Sequence, residues 1–123
     1  MIRARLVASA AAVALSAGLI ACSGSPAVTP AGTPSTTVDL SARNSLFDQA
    51  LLTVAAGSPY AIDFENYDAL PHNVAIVGGP PGSSGEIFSG PGSRTYVFPA
   101  LAAGSYTFHC EVHPAMTGTI EAD

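Results

Sequence analysis

The chain has 123 residues, 48% of them hydrophobic and 11% charged, with four basic against nine acidic side chains. Such a length allows one small domain and excludes a multidomain enzyme. Beyond residue 21 the only cations are Arg43 and Arg94, against all nine acids, which excludes nucleic acid and an anionic membrane surface as partners because both demand a basic footprint.

At the N-terminus, Arg3 and Arg5 precede an apolar run over residues 6–20, and Ala21-Cys22 follows directly. The run is too short and wrongly flanked for a transmembrane helix. It resembles a bacterial lipoprotein signal, in which cleavage before the cysteine exposes a thiol that is lipidated. The resemblance implies a signal peptide over 1–21, a lipid anchor to a membrane through Cys22, and a bacterial exported lipoprotein held at the extracytoplasmic face. Residues 22–37 comprise that cysteine and a tether of Ser, Thr, Pro, Gly, Ala and a single Val, which buries too little apolar surface to fold. The folded domain is then 38–123, enough for one core. With Cys22 taken by lipid, Cys110 has no disulfide partner in a compartment that favours oxidation. It is a buried inert thiol, an intermolecular crosslinker or a metal ligand.

Within the domain, short apolar runs are separated by Gly, Pro and Asn breakers, and no segment keeps a 3.6-residue period for three turns. The pattern predicts strands near 38–43, 51–55, 59–65, 73–78, 94–98, 105–110 and 117–122, hence an all-β chain folded as a small sandwich. Residues 42–50 could hold a helical turn, but with Phe47 inside they are read as crossing between strands. Alternation places Tyr60, Ile62 and Phe64 on one face, and Tyr106, Phe108 and Cys110 inward with His109 pointing away. By the same phasing His72, Val74 and Ile76 oppose Asn73, Ala75 and Val77. Gly118 opens the last strand or marks a close backbone approach.

The chemistry lies in His109-Cys110-Glu111-Val112-His113-Pro114-Ala115-Met116, with His72 far upstream. One thiolate, two imidazoles and a thioether suit copper, and a His2Cys set with a weak axial Met is the pattern of an electron-transfer site. Cys110, His113 and Met116 share a short loop between strands, while His72 arrives from a neighbouring strand as a rigid anchor. His109 is out of phase with Cys110, and Glu111 is read as a solvated loop acid.

The segments YTFHCEVHPAMTGTI and FENYDALPHNVAI resemble the two ligand segments of cupredoxins, the type 1 or blue copper proteins, with a Cys-x2-His-x2-Met spacing most similar to amicyanin. The resemblance implies a Greek-key β-sandwich of about seven to eight strands holding one type 1 copper ion. His72, Cys110 and His113 are then the equatorial ligands, Met116 the axial one, and Asn73 the residue that hydrogen-bonds the two ligand segments together. The implied function is single-electron carriage between redox partners by cycling Cu(II)/Cu(I), without catalysis or a small-molecule substrate. A redox protein would dock near His113, on a rim formed by Ala69, Leu70, Pro71, Pro114 and Ala115, and the protein would be a monomer. The alternative is a copper chaperone or storage module that delivers Cu(I) to an exported or membrane cuproprotein. A Cys-His hydrolase would leave Met116 and the distant His72 without a purpose.

Overall fold

Apolar residues at every second position dictate pleated strands, and the computed structural model, which describes residues 32–123, is built from ten of them. In chain order these are β1 (Thr36–Arg43), β2 (Leu46–Phe47), β3 (Leu51–Val54), β4 (Tyr60–Asn66), β5 (Pro71–His72), β6 (Ala75–Val77), β7 (Phe88–Ser89), β8 (Gly92–Phe98), β9 (Gly104–His109) and β10 (Thr117–Ala122). One sheet has the order β2-β1-β4-β8 and the other β3-β10-β9-β6, with β5 and β7 forming a separate two-stranded ribbon. Both sheets are mixed: β1 runs parallel to β4 and β3 parallel to β10, while the other pairs are antiparallel. The chain passes repeatedly from one sheet to the other, so the two close over one core. This is the all-β sandwich expected from the alternation.

Strand count is higher than the expected seven to eight because β2, β5 and β7 are two-residue pairings, too short to leave an alternation. The expected strand at 73–78 is also shorter. Val74 O accepts from Gly85 N (2.8 Å), Ile76 N donates to Ser83 O (2.8 Å), and Ala75 bridges Ser84. This neighbouring loop covers the segment, so His72 through Ile76 are all buried and the alternation of faces is lost. Thr36 and Thr37, assigned to the tether from composition, lie in β1. The expected signal peptide and Cys22 lie outside the described residues. No helix among the described residues is long and apolar enough to cross a membrane.

The core joins Tyr60, Ile62 and Phe64 of β4 and Leu40 and Ala42 of β1 to Leu52, Val54, Phe108 and Ile120 of the other sheet. Phe64 stacks on Tyr96 and meets Phe88 edge-on, both at 5.9 Å between ring centroids. Truncating such a ring to alanine costs about 3–5 kcal/mol. At one end of the sandwich, Phe47 of β2 packs against Phe64 of its own sheet and Phe108 of the other (6.2 and 5.2 Å). Phe108 stands two residues before Cys110, so this aromatic cluster anchors the start of the ligand loop.

Candidate metal centre

The loop between β9 and β10 is shaped by its own backbone. Met116 N donates to His113 O (2.8 Å), closing a four-residue turn with Pro114 at its second position, where the fixed φ of proline suits the turn. Cys110 N donates to Met116 O (3.1 Å), which carries the β9–β10 ladder one step further. Cys110 continues the inward row of β9 and is wholly buried, whereas His113 at the turn is half-buried.

His72 reaches the same point from β5, held by pairing with Phe88 of β7, and is also wholly buried. Its Nδ1 lies 3.8 Å from Cys110 Sγ and 3.1 Å from His113 Nδ1, and Sγ lies 3.9 Å from His113 Nδ1. A point equidistant from the three donor atoms is about 2.1 Å from each, the length of a metal–imidazole bond. The tautomer agrees: His72 Nε2 lies 2.9 Å from Asp68 Oδ2, and an ionised carboxylate only accepts, so Nε2 carries the proton and the Nδ1 lone pair faces the centre. The residues present fit one soft-to-intermediate metal ion. Among the described residues, His72, Cys110 and His113 are the group that converges in this way, and His109 is not part of it. Met116 is buried on the same loop as part of the core cluster.

Asn73 joins the two ligand segments. Its Oδ1 accepts from Glu111 N (2.9 Å), while its Nδ2 donates to Glu111 Oε2 (2.9 Å) and Gly85 O (3.0 Å). Ser84 Oγ donates to the same carboxylate oxygen at 2.9 Å. Glu111 is thus exposed but is more than the solvated loop acid expected, because its carboxylate ties Asn73 and Ser84 to the residue following Cys110. Sequence reasoning also passed over Asp68, although an acid four residues before a ligand histidine was a usable signal. Its carboxyl is held below the ordinary range, first by the N–H of Ser45, then by His72 and the N–H of Asn44. Nothing in the sequence marked Ser84.

The expected set of partners requires correction. The cysteine that the structure describes, Cys110, is wholly buried and faces His72 and His113, so it is engaged in the metal site and offers no thiol to a lipid. Cys22 lies outside the described residues, and the lipid anchor assigned to it is withdrawn.

A family model described as the cupredoxin-like domain matches residues 10–122. The chain belongs to that family, and its converging His2Cys triad is a mononuclear type 1 copper site. No curated protein sequence matches significantly. Among solved structures, a dithionite-reduced auracyanin from the photosynthetic bacterium Roseiflexus castenholzii is 25% identical with a TM-score of 0.62, over 74% of this chain and 99% of that one. Amicyanin from Paracoccus versutus is 27% identical with a TM-score of 0.55, over 76% of this chain and 87% of its own. Auracyanin A of Chloroflexus aurantiacus, titled a "blue" copper protein, shares the fold at 22% identity and a TM-score of 0.59, over 71% and 98% of the two chains.

Proposed function

We infer that this domain carries single electrons through one type 1 copper ion and makes or breaks no substrate bond. The observation that carries the reading is the triangle of Cys110 Sγ and two imidazole Nδ1 atoms, spaced for one ion in a cupredoxin-like fold, with His72 and Cys110 wholly buried and His113 half-buried. Copper, when bound, supplies the Cu(II)/Cu(I) couple. The chain's own contribution is restraint. Cys110 gives up its proton to ligate, Asn73 and Glu111 lock the segments bearing His72 and Cys110, and the Pro114 turn sets His113. Donors held by packing and hydrogen bonds shift little when the ion changes charge. Met116, buried on the ligand loop three residues after His113, would supply a weak fourth donor to the ion.

Delivery of Cu(I) as a chaperone would require ligands that open to a partner. Two of the three donors here are wholly buried and belong to hydrogen-bonded segments, which favours the carrier. Residues 1–21 read as an export signal, and the copper-binding unit begins by Thr36, where β1 starts. This reading is supported by the basic residues before an apolar run, and it places the domain on the extracytoplasmic side.

The deciding experiment adds Cu(II) to the full chain and records visible and electron paramagnetic resonance spectra. An intense thiolate-to-copper band, narrow parallel hyperfine splitting and reversible one-electron cycling are expected, with the band lost in Cys110→Ser. A colourless protein that binds Cu(I) stoichiometrically would transfer the assignment to copper delivery, and absence of binding in both oxidation states would refute both.

A further inference from the structure

We propose that Asp68, gripped by the turn between β1 and β2, is a positioning residue that sets the donor strength of His72 and thereby lowers the reduction potential of the centre. The inference deepens the copper assignment and rests on it. Every part of the connection is visible. Asp68 Oδ2 accepts from His72 Nε2 at 2.9 Å, on the side of the ring opposite the nitrogen that faces Cys110 and His113. The same carboxylate accepts two backbone N–H groups, from Asn44 to Oδ1 (2.8 Å) and from Ser45 to Oδ2 (2.9 Å). Asn44 and Ser45 have φ of 52° and 56°, and consecutive residues in such a turn can present successive N–H groups to one anion.

The loop bearing Asp68 is fixed independently. Asp68 N donates to Asn66 Oδ1 (2.9 Å), and the wholly buried Asn66 donates through Nδ2 to Leu70 O (2.9 Å) and Phe88 O (3.1 Å). The carboxylate therefore cannot follow the ring if the ring rotates. The ring is instead held to one tautomer and one orientation.

A carboxylate accepting from the outer imidazole nitrogen raises the basicity of the inner one, and loss of such a partner typically costs 10- to 100-fold in metal affinity. The stronger donor favours Cu(II), the harder ion, over Cu(I). Replacing Asp68 therefore weakens Cu(II) binding more than Cu(I) binding. Each tenfold change in that ratio raises the potential by about 59 mV for a one-electron couple.

The test compares the full chain with Asp68→Asn and with Asp63→Asn, which removes the same charge on the exposed side of β4. Cu(II) and Cu(I) affinities, the midpoint potential and the copper hyperfine splitting are measured for each. Asp68→Asn is expected to keep the thiolate band, lose Cu(II) affinity at least tenfold and shift to higher potential, while Asp63→Asn matches the parent. An unchanged potential and affinity ratio in folded Asp68→Asn would overturn the proposal, as would an equal shift in Asp63→Asn. If Asp68→Asn does not fold, nitrogen-15 NMR of the unsubstituted Cu(I) protein decides. A slowly exchanging, downfield proton on His72 Nε2 supports the anchor, and an unprotonated or freely exchanging nitrogen refutes it. A parent chain that takes up no copper would refute the copper assignment itself, a failure separate from that of Asp68.

Discussion

Asn73 makes three hydrogen bonds, two of them to Glu111, and has no contact with solvent, so its loss should be felt twice. Asn73→Ala strands the Glu111 N–H and frees its carboxylate. A cost of about 1–3 kcal/mol is expected for the unsatisfied backbone donor, read as a lowered denaturation midpoint of the metal-free protein. The copper spectrum should broaden as well, because the segments bearing His72 and Cys110 lose their direct link. Met116→Leu is a different kind of change. The two side chains have similar volume, so stability should fall by less than about 1.5 kcal/mol. The thiolate band should persist while the potential rises, since a thioether that helps Cu(II) is gone. An unchanged potential in cyclic voltammetry would remove Met116 from the metal. At this scale Cys110 and His113 were legible because one loop holds them at fixed spacing. Ser84 was not, because its partner lies 27 residues away and only the tertiary fold brings the two together, whereas Asp68 left a signal in its spacing of four from His72 that went unused.

The hairpin of β9 and β10 bears three of the four proposed ligands, and it depends on a glycine. A Cβ on Gly118 would overlap the Phe108 ring and approach Ala50 O to 3.0 Å. Phe108 is held by Phe47 and cannot swing aside. Gly118→Ala is expected to lower stability by about 1–3 kcal/mol through overpacking, and to weaken copper binding because the strain falls on the backbone of β9 and β10, two residues from Cys110. Calorimetry and a copper titration check both parts. The sequence left two readings open for this glycine, and the structure selects the close approach. Longer strands were well anticipated: β10 has the expected limits, and the inward row Tyr60, Ile62, Phe64 is wholly buried. The ribbon of β5 and β7 escaped notice because two paired residues carry no period, and 72–76 because burial on both sides abolishes the alternation on which phasing relies.

Across the whole molecule, the apolar interior sets a limit in alkali. Tyr60 and Tyr96 both have phenols raised well above their ordinary value, with burial the leading cause. A raised folded value means full stability below the ordinary phenol value of about 10 and a progressive loss above it, since the unfolded chain ionises first. Ultraviolet titration should therefore show the phenolate signal of these two rings appearing together with unfolding. Two rings titrating smoothly near pH 10 in the folded protein would contradict the packing described here.

Both arginines of the described domain are occupied by ring faces, Arg43 over Tyr67 at 4.2 Å and Arg94 over Phe88 at 4.3 Å. With no lysine in the chain and nine carboxylates in this part of it, the cations lie flat against the protein and the outward field is anionic. Two copies that meet to exchange an electron must first overcome mutual repulsion. Self-exchange between oxidised and reduced molecules should accordingly quicken as added salt shortens the reach of that field, so that ionic strength acts as a throttle on traffic between identical carriers.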